Sequence, residues 1–444
     1  MLSKIATALF IFFLFASANA QQKDTAFSKH WAGIDSLVTK QNQTKRALEK
    51  IDSLYALASQ NAMPAQQVKA LVYKISLTDK VQENNPNRSI HLLEQELDKK
   101  NDATVKAILH GLIAFQYQTY FNQNRWQLYR RSTTINYQKD SIDTWSAEDF
   151  HKAIAQHYLL SIEPAAFLQQ TNLSAFRAII LKGNSRELRP TLYDLLAHQA
   201  LDYFKTGEAY ITKPAYAFEL NDANALQPAP LYANAVFASK DSASLLLASL
   251  QLFQQLIAFH QSQKDTAAEI DVDLERIEWV KQFGVMEGKD SLYKKALEAI
   301  IAQYPHHPQN LQAWYLLAKL EKDKAAGYSP FGDTANRWGN VKALKIIKQA
   351  LPDTSVEAEG YANLKNLATE IKQKSLRVET EQVNVIGKPF RALVKYKNTD
   401  TAYCKIINIS HDNEIPSLST YEGGSQKDIW QYINKLPVLQ SFSQ

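Results

Sequence analysis

The residues able to do chemistry are ten histidines, one cysteine and forty-five acidic side chains in a chain of 444 residues. Their spacing decides what they could do. His306 and His307 are adjacent and follow Tyr304-Pro305, where neighbouring side chains in a turn diverge. His151 and His157 are six apart and so fall on different faces of a helix, unlike the i,i+4 pair of a zinc helix. Asp194 and His198 do share a face at i,i+4, a spacing that reads as a surface helix pair. The run "DVDLERIEW" concentrates Asp271, Asp273, Glu275 and Glu278. A calcium loop needs glycine at its sixth position, and Arg276 stands there, so a solvated helix face is expected. Arg125, Trp126, Tyr129, Arg130 and Arg131 could stack on a base or sugar, and read more simply as an amphipathic segment with cation–π contacts. No G-x-G-x-x-G, G-x-x-x-x-G-K or G-x-S-x-G occurs. No acid, base and nucleophile set can be assembled. The expectation is a non-enzyme with no catalytic, cofactor-binding or metal-binding residues and no cofactor.

The elements carrying these residues are mostly helical. Thirteen glycines and fourteen prolines are few for this length, which disfavours a turn-rich all-β chain. Leu48, Ile51, Leu54, Tyr55 and Ala58 share one helical face. Two further helices divide near Asn101-Asp102. Asp102 is the expected N-cap of the second, which buries Val105, Ile108, Leu109, Leu112, Phe115 and Tyr120. Ser146 and Asp149 have capping-box spacing, and Pro190 sits where a helix start tolerates it. Short polar turns between such helices predict a bundle or α-solenoid over residues 21–212. Residues 213–241 carry Pro214, Pro228 and Pro230 without a sustained period. They are expected to run extended, pinned by Tyr216, Phe218, Tyr232 and Phe237. Helices resume at Ser242. Within 242–375, Ala296, Ile300, Tyr304 and Pro305, then Trp314, Leu317 and Ala318, resemble the tetratricopeptide pattern. Ala343, Ile347, Ala350 and Pro352 repeat it at a spacing longer than the usual ~34 residues. Such hairpins bind protein or peptide.

The N-terminus reads as an export signal. Lys4 precedes an apolar run from Ile5 to Ala16, and Ala18-Asn19-Ala20 is a small-x-small cleavage pattern, so residues 1–20 are expected to be removed before Gln21. The run is shorter than the ~20 residues of a spanning helix, so no stable transmembrane segment is expected after cleavage. Localisation in the periplasm or cell envelope follows. Cys404 has no partner for an internal disulfide, so the fold must rest on packing, and the residue reads as a small buried apolar group in a strand. A formal charge of +5 without a basic run gives no nucleic-acid footprint.

One triplet, Asp followed by Ser or Thr and an apolar residue, recurs beyond chance expectation. It occurs at Asp24, Asp35, Asp52, Asp140, Asp241, Asp265, Asp290, Asp333 and Asp400. It resembles an O-glycan acceptor used on exported proteins by some Gram-negative bacteria. The competing explanation is that Asp and Ser/Thr start helices and turns.

After residue 375 the period changes. Phe390, Ala392, Val394 and Tyr396 alternate with Arg391, Leu393, Lys395 and Lys397. Asn398-Thr399-Asp400 reads as a turn, and 402–409 as a returning strand. With "SLRVETEQVNVIGKPF" before them, three strands are expected, fewer than a sandwich of roughly 100 residues needs. The segments "NRWQLYRR", "DSIDTWSAEDF", "LKGNSRELRPTLYDLLAHQALDYF", the connection after "ITKPAYAFEL", "KPFRALVKYKNTDTAYCKIINIS" and "DIWQYINKLPVLQSFSQ" together resemble the N-terminal part of bacterial alpha-2-macroglobulin-like proteins. In that family a long helical region precedes macroglobulin domains. The resemblance implies that 376–444 is a partial macroglobulin-like β-domain whose opening strands form a hairpin, and that the chain is a truncated piece. It further implies envelope defence by protease trapping, with bait and thioester regions outside this chain and proteases as partners through them. The alternative is a self-contained periplasmic helical-repeat scaffold binding a protein, peptide or glycan.

Overall fold

A computed structural model describes residues 25–81, 86–99, 102–130, 142–181, 183, 186–208, 213–329, 331–351, 356–381, 383–385, 387–407 and 437–443. The signal-cleavage residues Ala18, Ala20 and Gln21, Asp24 and Asp140-Ser141 of their triplets, Arg131, Pro352 and most of "DIWQYINKLPVLQSFSQ" lie outside them. The chain is mainly helical, with fifteen α-helices among the described residues and two small antiparallel sheets near the C-terminus. It divides into two units, residues 1–317 and 318–444. No described helix is long and apolar enough to cross a membrane.

The first unit begins with helices α1 (Thr25–Thr39), α2 (Thr44–Gln60), α3 (Pro64–Val81), α4 (Pro86–Leu97) and α5 (Ala103–Leu128). Ile51, Leu54 and Ala58 of α2 are buried against Trp31, Ile34 and Leu77, with Leu48 and Tyr55 packed beside them, as the 3.6-residue period requires. Asp102 caps α5, accepting from the Thr104 amide at 2.8 Å. The expected stripe on α5 is only partly right: Val105, Ile108 and Leu109 are buried, but Phe115 is exposed and Ile113, Tyr117 and Phe121 point inward. This helix packs against α3, α4 and two later helices, α6 (Ala147–Ser161) and α8 (Leu192–Phe204), so several of its faces are interior. Between the last two lies the short α7 (Ala165–Gln170). The capping box at Ser146 and Asp149 forms, and Thr191 with Asp194 makes a second one at the start of α8. Each satisfies two backbone donors that a helix start leaves unpaired.

Of the aromatics expected to pin residues 213–241, Tyr232 is buried, Phe218 and Phe237 are half-buried and Tyr216 is exposed, and the segment is not wholly extended. They contain a 3₁₀ turn, Ala223–Leu226, and a one-turn helix α9, Ala229–Tyr232. Pro228 and Pro230 sit at the start of α9, the one place a helix needs no proline N–H. Next come α10 (Leu245–Gln263), capped by Ser244, then α11 (Thr266–Phe283) and α12 (Lys289–Gln303). Tyr232 is fully buried and its hydroxyl donates to the Leu250 carbonyl at 2.7 Å. Helix α13 (Asn310–Ala325) holds the boundary between the two units.

The second unit contains α14 (Gly339–Ala350) and α15 (Glu359–Lys372). Ala343 and Ile347 of α14 and Leu364, Leu367 and Ile371 of α15 are buried. Gly339 permits a close approach: a Cβ there would lie 2.6 Å from the Glu321 carbonyl oxygen and 2.8 Å from the Ala325 Cβ. Overpacking of this kind costs about 1–3 kcal/mol. Gly339→Ala is therefore expected to lower the urea midpoint clearly, whereas Gly183→Ala, with nothing within 4 Å, leaves it unchanged. Equal midpoints for the two variants would contradict the packing.

The strand pairing corrects the expectation of a hairpin turned at Asn398. Strand β1 (Ser375–Thr380) pairs antiparallel with β2 (Ala392–Lys397), and β3 (Tyr403–Ile407) pairs with β4 (Val438–Ser443). Asn398 adopts a left-handed φ of 55°, a conformation asparagine tolerates. Its side-chain amide donates to the carbonyls of Ile371 at 2.7 Å and Gln373 at 3.1 Å. These bonds tie the end of β2 to the end of α15, so the chain leaves toward a different partner. Cys404 lies in β3 as a free, half-buried thiol, less buried than the sequence suggests.

Candidate functional site

A cluster of ionisable side chains joins α8, α10 and α11. Asp194 and His198 share a face of α8, as their spacing demands, but they are buried and not a surface pair, at 0% and 3% exposure. Each pairs with a different helix. The Asp194 Oδ1 lies 3.2 Å from His260 Nε2 on α10, while its Oδ2 accepts from the Thr191 amide and hydroxyl at 2.9 and 2.8 Å. His198 Nδ1 lies 3.3 Å from Glu275 Oε2 on α11. Lys205 Nζ sits 2.5 Å from the other Glu275 oxygen, and Arg189 Nη2 is 3.6 Å from Oε2. Burial alone would raise the Glu275 carboxyl, but His198 and Lys205 outweigh it and hold the group at about 2. Two carboxylate–imidazole contacts thus form at ion-pair distance, without a hydrogen bond between His198 Nδ1 and Glu275 Oε2 or between His260 Nε2 and Asp194 Oδ1. Both imidazoles are almost fully buried, and no hydrogen-bond partner meets His198 Nε2.

A second correction falls on the "DVDLERIEW" segment. Asp273 and Arg276 are buried at 3% and 0% exposure, and burial raises the Asp273 carboxyl against the opposing pull of Arg276. Arg276 Nε donates to Asp273 at 2.9 Å, and its terminal nitrogens reach the carbonyls of Gln227, at 2.9 Å, and Ala225. Its guanidinium lies 4.1 Å from the Tyr232 ring centroid. This planar fork suits several fixed acceptors at once, and it staples the 213–241 segment onto α11.

His151 and His157 separate, whereas Arg125 and Tyr129 come together. His151 meets the Tyr203 hydroxyl at 2.7 Å, and His157 meets His110 with the two Nδ1 atoms 3.0 Å apart. Arg125 and Tyr129 both bond Glu208, and the Arg125 guanidinium lies 5.5 Å from the Tyr129 ring. Trp126 is 82% exposed. His306 and His307 sit in a turn, where His307 Nδ1 accepts from the Gln309 amide at 3.3 Å. Among the described residues no group of three or more His, Cys, Asp or Glu is arranged to hold a metal ion.

Sequence reasoning missed His260, Lys205 and the buried role of Arg276. A signal existed for α8: "LYDLLAHQALDYF" is apolar on nearly every side, which marks a helix enclosed by others and makes its Asp and His interior. No family model matches the chain, and no curated protein matches it in sequence.

Proposed function

We propose that the chain is an exported, non-catalytic helical scaffold presenting a strand segment to a covering protein layer. This is the role expected of the N-terminal region of an alpha-2-macroglobulin-like protease trap in the cell envelope. The observation that carries it is the two-sided character of the β1–β2 pair. Residues directly opposite one another in an antiparallel pair share a face. Leu376 with Tyr396 and Val378 with Val394 therefore make one face, and Arg377 with Lys395 and Glu379 with Leu393 make the other. The second face carries ion pairs from Glu379 to Arg377 and Lys395 at 3.0 and 3.1 Å. The first is apolar, yet Leu376, Val378 and Tyr396 are 51%, 54% and 68% exposed. Apolar residues on one face of a strand pair ordinarily mark the side packed on a core.

The test is the size of the native protein, read by immunoblot of fractionated cells with an antibody raised against residues 25–208. A band several times heavier than the 50.3 kDa of this chain, in the envelope fraction, is the expected result. A single band near that mass would overturn the trap reading and leave a self-contained scaffold that binds protein, peptide or glycan.

A further inference from the structure

The Asp-Ser/Thr-apolar triplets gain meaning from where the fold puts them. Helix capping alone would place most of them at helix starts with the Asp or hydroxyl bonded to a free backbone amide, while the turn half of the competing explanation covers Asp333, whose carboxylate closes an Asx turn onto the Ala335 amide. Among the described triplets only Asp265 is an N-cap, accepting from the Ala268 amide at 3.3 Å. Asp35-Ser36-Leu37 and Asp52-Ser53-Leu54 lie inside helices, with Leu37 and Leu54 buried and the Ser53 hydroxyl donating to the Glu49 carbonyl. Asp290-Ser291-Leu292 lies in the first turn of α12, and Asp241 is buried and accepts from the Phe218 amide at 2.9 Å.

Two triplets differ from these. Asp333-Thr334-Ala335 is exposed at all three positions and lies in the loop before α14. Asp333 Oδ1 accepts from the Ala335 amide at 2.8 Å, and the Ser329 amide bonds the Asp333 carbonyl at 2.8 Å. The triplet is thus presented in a fixed turn. Asp400-Thr401-Ala402 lies outside regular structure between β2 and β3, with Asp400 and Thr401 exposed and Ala402 half-buried. An enzyme modifying a folded chain needs the acceptor hydroxyl, and the side chains it reads on either side, outside helices and open to solvent.

We propose that Thr334 and Thr401 are acceptors for an O-linked glycan, added by a transferase that reads the preceding carboxylate and the following small apolar side chain. The donor class is a sugar activated as a phosphate ester. The threonine oxygen forms a bond to the anomeric carbon as the bond from that carbon to the phosphate oxygen breaks. The phosphate leaves with the electron pair, and the hydroxyl proton passes to a base of the transferase. No oxidation or reduction occurs. The inference rests on the export reading, because the transferase must meet the chain after it has folded outside the cytoplasm.

The experiment is intact-mass and electron-transfer peptide mass spectrometry of the full chain purified from its native host, alongside Thr334→Ala, Thr401→Ala, Asp333→Asn and Thr334→Ser. The expected result is a mass above that of bare residues 21–444, with sugar on peptides spanning Thr334 and Thr401. Each Ala variant loses one site. Asp333→Asn loses the Thr334 site although its hydroxyl remains, and Thr334→Ser keeps it. A chain starting at Gln21 with bare Thr334 and Thr401 would overturn the glycan proposal alone. Sugar retained at Thr334 in Asp333→Asn would overturn the triplet as its recognition element. A chain retaining Met1 would overturn export and this proposal together.

Discussion

Replacing Arg276 by methionine is expected to destabilise the protein by about 3–5 kcal/mol, the loss found when one partner of a buried ion pair is removed. Asp273 would be left buried without its counter-ion, and the carbonyls of Ala225 and Gln227 would lose their donors. The methionine would fill much of the volume, so the loss measures unpaired polar groups more than a cavity. The double variant Arg276→Met with Asp273→Leu is expected to recover part of it, because removing both charges also removes the desolvation penalty. Urea unfolding of the three variants against the parent checks this. A single variant within about 0.5 kcal/mol of the parent, the scatter of ordinary surface changes, would mean that Arg276 is not the staple between the 213–241 segment and α11.

The second large effect is a loss of stability in mild acid. Burial pushes both His151 and His157 down to about 4, and pushes His110 down as well. For His151, burial dominates over Glu208, which raises it, and Arg125, which lowers it further. Its Nδ1 meets Tyr203, Phe121 packs on its ring, and its Nε2 has no partner that would welcome a second proton. His157 faces His110, with Tyr117 beside it, and Lys106 lowers His110. An unfolded histidine takes up its proton near pH 6.5, so between about 6.5 and 4 the unfolded chain binds more protons than the folded one. The histidines' contribution is then full above 6.5, falls as the pH drops through this window, and is fully lost below about 4. Glu275 acts in the same direction lower down, its contribution being lost from its unfolded value of 4.5 toward about 2. His151→Gln keeps an acceptor for Tyr203 but cannot titrate. Its stability deficit against the parent at pH 7.5 is expected to shrink by about 2–3 kcal/mol at pH 4.5. A deficit that does not change with pH would contradict a neutral, buried His151.

Local chemistry was legible in the sequence where one helix decides it. The Ile51-Leu54-Ala58 face, the Asp102 cap and the Ser146–Asp149 box depend on neighbours within a turn or two, and all three are formed. The errors fall where several elements meet. Arg276, Asp273, Asp194 and His198 were assigned to solvent because their type is polar, yet α8 and α11 are enclosed and bury ions against partners far along the chain. The alternation of β2 was legible. Its partner was not, because Asn398 bonds to Ile371 and Gln373, a long-range contact that no period-two pattern encodes.

The most direct test of the uncovered strand face is hydrogen exchange of the purified chain followed by mass spectrometry. In α8 and α11 the amides are bonded within buried helices, whereas β1 and β2 form a two-stranded pair with an exposed apolar face, a unit that is marginal in water without a third layer. Peptides covering 375–380 and 392–397 are expected to exchange far faster than those covering 192–204 and 266–283. Protection of the β1–β2 peptides equal to that of α8 and α11 would contradict the account, since it would mean that the strand pair already has the cover the proposed function assigns to a partner.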